Sequence, residues 1–309
     1  MKYGEWLQIW LEDYVRPVEK LKTYKNYSDV IRLRLLPNFG ENNINELSVT
    51  MLQRYITGLL ANGNMRTGEG LANTTIDLII SVIKSSLKRA YLIGYADAYI
   101  GDKIKSPKYT ETEVDCFSET EQKKIEFEIQ HQTKTKLYGI ILCLYSGLRI
   151  GELLALEWSD IDFTKELLTV SKTCYDAKDE NGDYYKIVDT PKTRSSWRRI
   201  PLPRQIMPML QEMRDESRSN YVIADKEKTV RVRSYQRSYE LLLKRLNIPH
   251  KKFHALRHTF ATRAIECGMD VKTLSEILGH KSPTVTLKLY VHSLYEHKKE
   301  MMNLVGALY

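Results

Sequence analysis

The stretch from His254 to Tyr290 constrains this chain more than any other. It reads HALRHTFATRAIECGMDVKTLSEILGHKSPTVTLKLY. His254 and Arg257 are three residues apart, so on a helix they project from neighbouring points of one face. His280 and Tyr290 each lie near a predicted helix terminus, where backbone N–H groups and the helix dipole favour an anion. Two bases, a fixed cation and a phenol that converge on one anion would suit phosphoryl transfer, with the phenol as nucleophile.

The composition is typical of a globular protein. Hydrophobic residues make up 42% of the 309 residues and charged residues 28%, which is within the usual range. No apolar run approaches the ~20 residues that span a bilayer, and the N-terminus lacks the apolar core of a signal peptide. The cysteines are scattered without a C-x-x-C pair, which favours reduced thiols over a disulfide framework or a zinc site. They are Cys116, Cys143, Cys174 and Cys267.

The net charge is positive in both halves of the chain. Residues 1–105 hold 14 Lys and Arg against 11 Asp and Glu, the remainder holds 33 against 28, and the total is +8. A mildly basic surface on each half suits a protein that binds a polyanion from two sides. Charge alone is weak support for nucleic-acid binding, because many basic proteins bind none.

Residues 1–97 are predicted to form a four-helix unit, with helices over residues 3–15, 23–36, 49–60 and 74–91. Ser48 and Asn73 are expected to cap the third and fourth helices. Arg32 and Arg34 suit either a DNA backbone contact or an ordinary solvated face, and the sequence favours neither interpretation.

The polar residues 98–117 are predicted to link this unit to a second domain. Ser118 and Glu121 form a capping box that opens a new helix. The apolar run over residues 137–145 predicts a buried helix that leads into Arg149 in a chain bend. Because an unpaired buried guanidinium is costly, we expect Glu152 to be its structural partner.

Residues 167–203 are predicted to form strands. LLTVSKT alternates, Asn181-Gly182 is the strongest hairpin signal, YKIVDT returns, and RRIPLP forms a third strand. A tight turn before the third strand carries Lys192. Helices are predicted over about 205–217 and 234–246, with a short buried strand over 221–224 between them. The chain is predicted to close with an amphipathic segment that has Leu294, Met301, Leu304 and Val305 on one side.

Five motifs together resemble the tyrosine recombinase family, the phage- and transposon-type integrases. They are SGLRIGEL, PKTRSSWRRIPL, HALRHTFAT, LGH and TLKLYVH, in the family's order. The resemblance implies a mainly α fold with a small antiparallel β-sheet. Residues 1–97 would be the helical core-type DNA-binding domain, 98–117 a linker and 118–309 a mixed α/β catalytic domain, whose C-terminal tail starts at about 294. Many such integrases carry a further arm-binding domain ahead of the core-binding helices, where this sequence begins.

The resemblance also implies a catalytic set and a reaction. The enzyme would be a site-specific DNA recombinase that cleaves and rejoins strands through a 3′-phosphotyrosine, without metal, ATP or any cofactor. The family motif maps onto Arg149, Lys192, His254, Arg257, His280 and Tyr290.

Elementary chemistry is consistent with these roles. Arg149 and Arg257 offer planar forks that can clamp phosphate oxygens and never lose their charge. Tyr290 needs a nearby base, because a free phenol has a pKa near ~10. His254 could take that proton, and Lys192 could protonate the leaving 5′ oxygen.

Two of the six residues have alternative assignments. Lys172, in the preceding strand, is a rival for the acid. His280 would hydrogen-bond the phosphate or orient its neighbours.

The implied partner is double-stranded DNA at attachment or core sites. A homo-tetramer on paired sites, with subunits linked by the C-terminal tail, is expected, and an accessory directionality factor could assist. The expected location is the cytoplasm of a prokaryote, on the nucleoid.

Three alternatives compete with the recombinase. A type IB topoisomerase uses similar chemistry as a monomer to relax supercoils. A catalytically silent DNA-binding regulator would be expected to lack some of the six residues. A metal-dependent nuclease could use His254 and His258, but the Glu of H-E-x-x-H and a nearby acidic cluster are missing.

Overall fold

The computed structural model of the chain divides into two compact units, Met1–Glu111 and Thr112–Tyr309. The structure describes residues 1–107, 115–131, 135–179, 181–189, 197–225, 228–280 and 282–290, together with 299, 302–303 and 305–307. Within these ranges, no helix has both the length and the apolarity needed to cross a membrane.

The first unit is helical, as predicted. Its helices are α1 (Tyr3–Ile9, continued by a π-helical turn, Trp10–Val15), α2 (Leu21–Val30, continued through Ile31–Leu35 into α3, Leu36–Phe39), α4 (Val49–Asn62) and α5 (Asn73–Leu92). The Ser48 hydroxyl accepts from the Met51 N–H at 3.2 Å, which confirms this cap. The expected cap at Asn73 is wrong, because α5 already includes that residue and Ala72 precedes it as N-cap.

The core of this unit is built on the apolar stripe of α5. Trp6 donates its indole N–H to the Ser86 carbonyl at 2.9 Å, and the Tyr3 hydroxyl is 2.8 Å from that of Ser86. The buried stripe consists of Ile76, Ile79, Ile80, Ile83 and Leu87. Hydrogen-bonded aromatic tips allow large rings to be buried without an unsatisfied polar group.

Both ends of the predicted linker, residues 98–117, contribute to a core. Ile104 is part of the buried core of the first unit, and Tyr99 and Ile100 pack against this core. Phe117 is buried in the second unit. Residues 108–114 between them lie outside the described ranges.

In the second unit, helices precede and follow the strands along the sequence. They are α6 (Glu119–Gln130), α7 (Tyr138–Ser146), α8 (Ile150–Ala155), α9 (Met207–Glu216), α10 (Val232–Arg245), α11 (His254–Glu266), α12 (Val271–Leu278) and α13 (Pro283–Tyr290). The capping box that opens α6 is confirmed by both of its hydrogen bonds, at 3.2 and 2.8 Å. The apolar helix predicted over 137–145 is α7, which lies in the core and packs against α11.

The strands form small antiparallel sheets. They are β1 (Ile161–Asp162), β2 (Leu167–Val170), β3 (Thr173–Lys178), β4 (Tyr184–Asp189), β5 (Arg198–Pro201), β6 (Ala224–Asp225) and β7 (Lys228–Thr229). One sheet has the order β1-β2-β5, and β3 pairs with β4 in a separate hairpin. The hairpin expected at Asn181-Gly182 is confirmed, and Gly182 has the positive φ of 86° that favours glycine.

Two strand predictions need correction. The run LLTVSKT is not one strand, because residues 167–170 pair with β5 whereas β3 pairs with β4. The strand expected over 221–224 is reduced to an isolated bridge between Glu157 and Tyr221, followed by β6. Val222 and Ile223 are nevertheless buried, so tertiary packing rather than strand pairing accounts for the apolar run.

Candidate active site

Arg149 lies in the predicted bend between α7 and α8. Gly147 ends α7 with a φ of 65°, and a Cβ at this position would come within 2.6 Å of Phe260 and 2.8 Å of Leu278. At Gly151 a Cβ would be 2.6 Å from the Cys174 carbonyl, so glycine allows β3 to approach α8. The two glycines therefore fix the path of the chain on either side of Arg149.

Glu152 is the structural partner of Arg149, as predicted. Its carboxylate accepts from Nη1 of Arg149 at 2.8 Å and from the Arg149 backbone N–H at 2.9 Å. The Arg149 side chain is 36% exposed, whereas that of Glu152 is 6% exposed. The guanidinium is thus held from the protein side while part of it still reaches solvent.

Arg198, the first residue of β5, is a second partner of Glu152 that the sequence analysis missed. Nη1 and Nη2 of Arg198 donate to the two carboxylate oxygens at 3.0 and 2.8 Å. Burial would raise the pKa of Glu152, but the hydrogen bonds and charge of Arg198, with the charge of Arg149, outweigh it and lower this pKa to about 2. The carboxylate is therefore charged at neutral pH and couples two arginines.

Three arginines donate to three successive carbonyls at the C-terminal end of α12. Arg198 Nε donates to the carbonyl of Ile277, Arg257 Nη2 to that of Leu278 at 2.7 Å, and Arg149 Nη2 to that of Gly279 at 3.5 Å. The last carbonyls of a helix lack intrahelical donors and carry the negative end of its dipole, so they favour cations. The expectation that a helix terminus beside His280 favours an anion is therefore wrong for α12.

Arg257 lies inside the protein on α11. It is 2% exposed, and besides its bond to α12 it donates from Nη1 to the Gly147 carbonyl at 2.8 Å. The prediction that His254 and Arg257 share a helix is confirmed, because α11 runs from His254 to Glu266. Arg257 thereby joins the bend at Gly147 to the end of α12.

His254 is the first residue of α11, where the positive end of the helix dipole lies. Loss of surrounding water and the charges of His258, Arg257 and Arg149 lower the pKa of His254 to about 4. The rings of His254 and His258 are perpendicular, with centroids 4.6 Å apart. A neutral imidazole can accept a proton at neutral pH, as a general base must.

His280 follows Gly279, which ends α12 with a φ of 64°. Its backbone N–H donates to the Ser275 carbonyl at 3.0 Å, and its Nδ1 is 2.8 Å from the Thr286 hydroxyl on α13. The pKa of His280 is lowered to about 4, mainly by burial and to a smaller extent by the nearby charges of Arg257, Arg149, His254 and Arg198. Arg149 and Arg257 bind the carbonyls of Gly279 and Leu278 directly before His280, and the charges of both arginines act on His254 as well. Four of the six predicted residues, those at 149, 254, 257 and 280, therefore lie close together.

Two members of the predicted set are not placed by the structure. Lys192 lies outside the described residues, and the side chain of Tyr290, the last residue of α13, is also outside them. The rival Lys172 lies 2.6 Å from a Glu157 carboxylate oxygen and 3.2 Å from one of Asp160. Burial would lower the pKa of Lys172, but these two carboxylates raise it, which makes this lysine a poor proton donor.

No group of three or more His, Cys, Asp or Glu that could hold a metal ion occurs among the residues that the structure describes. His254 and His258 face each other through their rings without an acidic partner of the H-E-x-x-H kind between them.

Residues 115–297 match the model of the Phage integrase family, and residues 2–60 match that of the phage integrase N-terminal SAM-like domain. A tyrosine recombinase XerC-like protein of Caldanaerobacter subterraneus is 31% identical over 99% of this chain and 83% of its own length. The transposase from transposon Tn916 of Enterococcus faecalis is 28% identical over 70% of this chain and 59% of its own.

The fold also matches solved structures. A structure of the Tn1549 transposon integrase with a circular intermediate DNA has a TM-score of 0.80 at 22% identity and covers 99% of both chains. The family match spans more than half of the residues and includes every sequence motif that carries the resemblance. This chain therefore belongs to the phage integrase family and is a tyrosine recombinase, an enzyme of site-specific DNA strand transesterification.

Proposed function

We propose that the catalytic set of this recombinase is Arg149, Lys192, His254, Arg257, His280 and Tyr290. The observation that carries the proposal is the convergence on the end of α12, where Arg149 and Arg257 donate to successive carbonyls just before His280. Fixed cations beside neutral imidazoles suit a phosphodiester, whose transition state gathers charge on its non-bridging oxygens.

The proposed step is a transesterification. The Tyr290 oxygen attacks the scissile phosphorus and forms a 3′-phosphotyrosine, while the bond from phosphorus to the 5′ oxygen breaks. His254 takes the phenolic proton, and Lys192 gives a proton to the departing 5′ oxygen. A 5′ hydroxyl from another strand then attacks the phosphotyrosine, which forms the new phosphodiester and releases Tyr290. The bond energy is conserved, so neither ATP nor a metal is required.

Arg149 and Arg257 would have different parts in this step. Arg149 is exposed on one side, so its guanidinium can bind a phosphate oxygen directly. Arg257 already uses two of its N–H groups on carbonyls. A guanidinium has five N–H donors, so these two bonds are compatible with a further contact to a phosphate oxygen.

The proposed assembly is a homo-tetramer on two DNA sites in the prokaryotic cytoplasm, on the nucleoid. Exchange between two duplexes involves four strand cleavages, and each requires one tyrosine. We further propose that the segment from about residue 294 links the subunits, because its apolar side includes Leu294 and Leu304, which lie outside the described residues. An accessory directionality factor would select integration or excision.

The test is covalent trapping with Tyr290→Phe. The DNA flanking the gene is first searched for a pair of short direct repeats. The probe is a duplex that carries such a repeat, nicked near the cleavage point so that rejoining fails. In EDTA and without ATP, the wild-type protein should form a denaturant-resistant adduct. Tyr290→Phe should bind the duplex equally well and form none, because only the nucleophilic oxygen is lost. An adduct from this variant would move the nucleophile to Tyr295 or Tyr309.

A further inference from the structure

The hydrogen bond between His280 and Thr286 joins the end of α12 to α13. Nδ1 of His280 lies 2.8 Å from Oγ1 of Thr286. Thr286 is fully buried and lies one helical turn before Tyr290 on α13. Thr286 therefore contacts a predicted catalytic imidazole and belongs to the helix that carries the predicted nucleophile.

A neutral imidazole has one nitrogen that donates and one that accepts, so the partner of Nδ1 decides what Nε2 can do. If the hydroxyl donates to Nδ1, the ring proton is on Nε2, which can then donate to a phosphate oxygen. If Nδ1 carries the proton, Nε2 presents a lone pair that repels the phosphate. The direction of this one bond thus determines whether His280 can stabilise an anion.

Burial fixes the direction of the bond. Across the described part of the chain, the hydroxyl of Thr286 has one hydrogen-bond partner, the His280 ring. A buried O–H that finds no acceptor costs about 1–3 kcal/mol, so its hydrogen points at Nδ1. The charged groups around the ring, which are Arg257, Arg149, Arg198 and His254, also disfavour a second ring proton.

We propose that Thr286 is a positioning residue whose hydroxyl donates to Nδ1 of His280 and keeps the ring proton on Nε2, where it binds a non-bridging phosphate oxygen. The bond also ties α13 to the end of α12, one turn before Tyr290. The role at the phosphate rests on the function proposed above. The tautomer itself is a property of the free protein and does not depend on that function.

The first test is the tautomer in the free full-length protein, labelled with ¹⁵N histidine and observed by long-range ¹H–¹⁵N NMR at neutral pH. His280→Ala assigns the signal. We expect the Nε2–H form in the wild type, the same form in Thr286→Ser, and a mixture of both tautomers in Thr286→Val. An Nδ1–H form in the wild type, or an unchanged spectrum in Thr286→Val, would overturn the proposal.

The second test is cleavage of the duplex with the flanking repeats. Thr286→Val should slow cleavage roughly three- to tenfold, as expected for one lost hydrogen bond, and Thr286→Ser should restore most of the rate. Thr284→Val, the same change at an exposed position of α13, should have no effect.

A double-mutant comparison separates positioning from support of the fold. In a His280→Ala background, Thr286→Val should add no further slowing, because the residue acts through the missing ring. Equal slowing in both backgrounds would show that Thr286 merely supports α13. If the wild-type protein does not cleave the duplex, the proposed function has failed, while the NMR result still decides the tautomer.

Discussion

Arg198 and Glu152 form a two-pronged ion pair in which the side chains are only 5% and 6% exposed. Glu152 also accepts from Arg149, so the buried carboxylate balances the positive charge of the partly exposed Arg149. Because both partners of the pair are buried, removing Arg198 leaves the Glu152 carboxylate with Arg149 as its one charged partner among the described residues, and removing Glu152 leaves Arg198 and Arg149 without their shared acid; both changes are destabilising. The orientation of Arg149 therefore depends on a strand residue that never reaches the site surface.

Arg198→Met should lower the free energy of unfolding by roughly 3–5 kcal/mol, the usual cost of breaking a buried ion pair. Adding Glu152→Gln should recover part of this loss, because it removes the buried negative charge that has lost its two-pronged partner. Arg199→Met changes the adjacent, exposed residue of the same strand and should stay within about 0.5 kcal/mol of the wild type. Urea unfolding of these variants measures the effect, and equal losses at 198 and 199 would show that the pair contributes little.

The acid limb of stability should depend on Glu152. Its folded-state pKa is lowered from 4.5 to about 2, so its contribution is complete above about pH 4.5 and is lost as the pH falls towards 2. This shift corresponds to roughly 3 kcal/mol at most. The difference in unfolding free energy between the wild type and Glu152→Gln should therefore shrink from about pH 5 to pH 3. A constant difference would contradict the assignment.

The histidines should remain neutral well below their ordinary range. The pKa values of His254 and His280 are lowered from 6.5 to about 4. NMR titration of the free protein should place both midpoints there, and Arg149→Met should raise that of His280 by removing a positive charge. Because the unfolded rings take up protons first, each histidine should reduce stability as the pH falls from about 6.5 to 4. A midpoint near 6.5 for either ring would contradict this.

Much of the fold followed from local patterns. Helix stripes, the capping box before α6 and the Asn181-Gly182 hairpin depend on neighbouring residues, so their signals survive in one sequence. The pairing of strands does not depend on neighbouring residues, which explains why the alternation in LLTVSKT predicted one strand. Its two ends pair with β5 and β4, a choice that depends on packing far away in sequence.

The motifs indicate the candidate site residues but not the residues that hold them in place. As a lone basic residue Arg198 gives no sequence signal. It nevertheless lies two residues before Ile200, which is buried on β5. Because side chains two apart face the same side of a strand, this spacing could have indicated an inward-pointing arginine that needs a buried acid. The three bonds to the end of α12 join residues 21 to 130 positions apart, and no sequence pattern encodes them.

Arg149→Lys should abolish most strand cleavage and keep most DNA affinity. Lysine retains the charge but cannot hold Glu152, the Gly279 carbonyl and a phosphate oxygen with one planar group. Covalent adduct formation and a gel-shift titration on the same duplex measure the two effects. Arg245→Lys makes the same change at an exposed ion pair on α10 and serves as control. Near-normal cleavage by Arg149→Lys would mean that this arginine only pairs with Glu152.

A substrate with a bridging sulfur atom separates Lys192 from Lys172 as the general acid. A duplex with sulfur in place of the bridging 5′ oxygen expels a thiolate, which needs no proton. Lys192→Ala should therefore be slow on ordinary DNA by roughly 10²–10⁴-fold, the range for lost acid catalysis, and close to the wild-type rate on the sulfur duplex. Arg257→Ala should gain much less from sulfur, because its loss leaves the phosphate charge unstabilised whichever group departs.

Lys172→Ala is the matched control for this experiment. Lys172 pairs with Glu157 and Asp160, so its loss should lower stability and slow both substrates by the same factor. If Lys192→Ala is instead equally impaired on both duplexes while Lys172→Ala is rescued by sulfur, the acid is Lys172. Rescue of neither would turn the search to His280, whose Nε2–H would then be a proton donor rather than a fixed hydrogen bond to the phosphate.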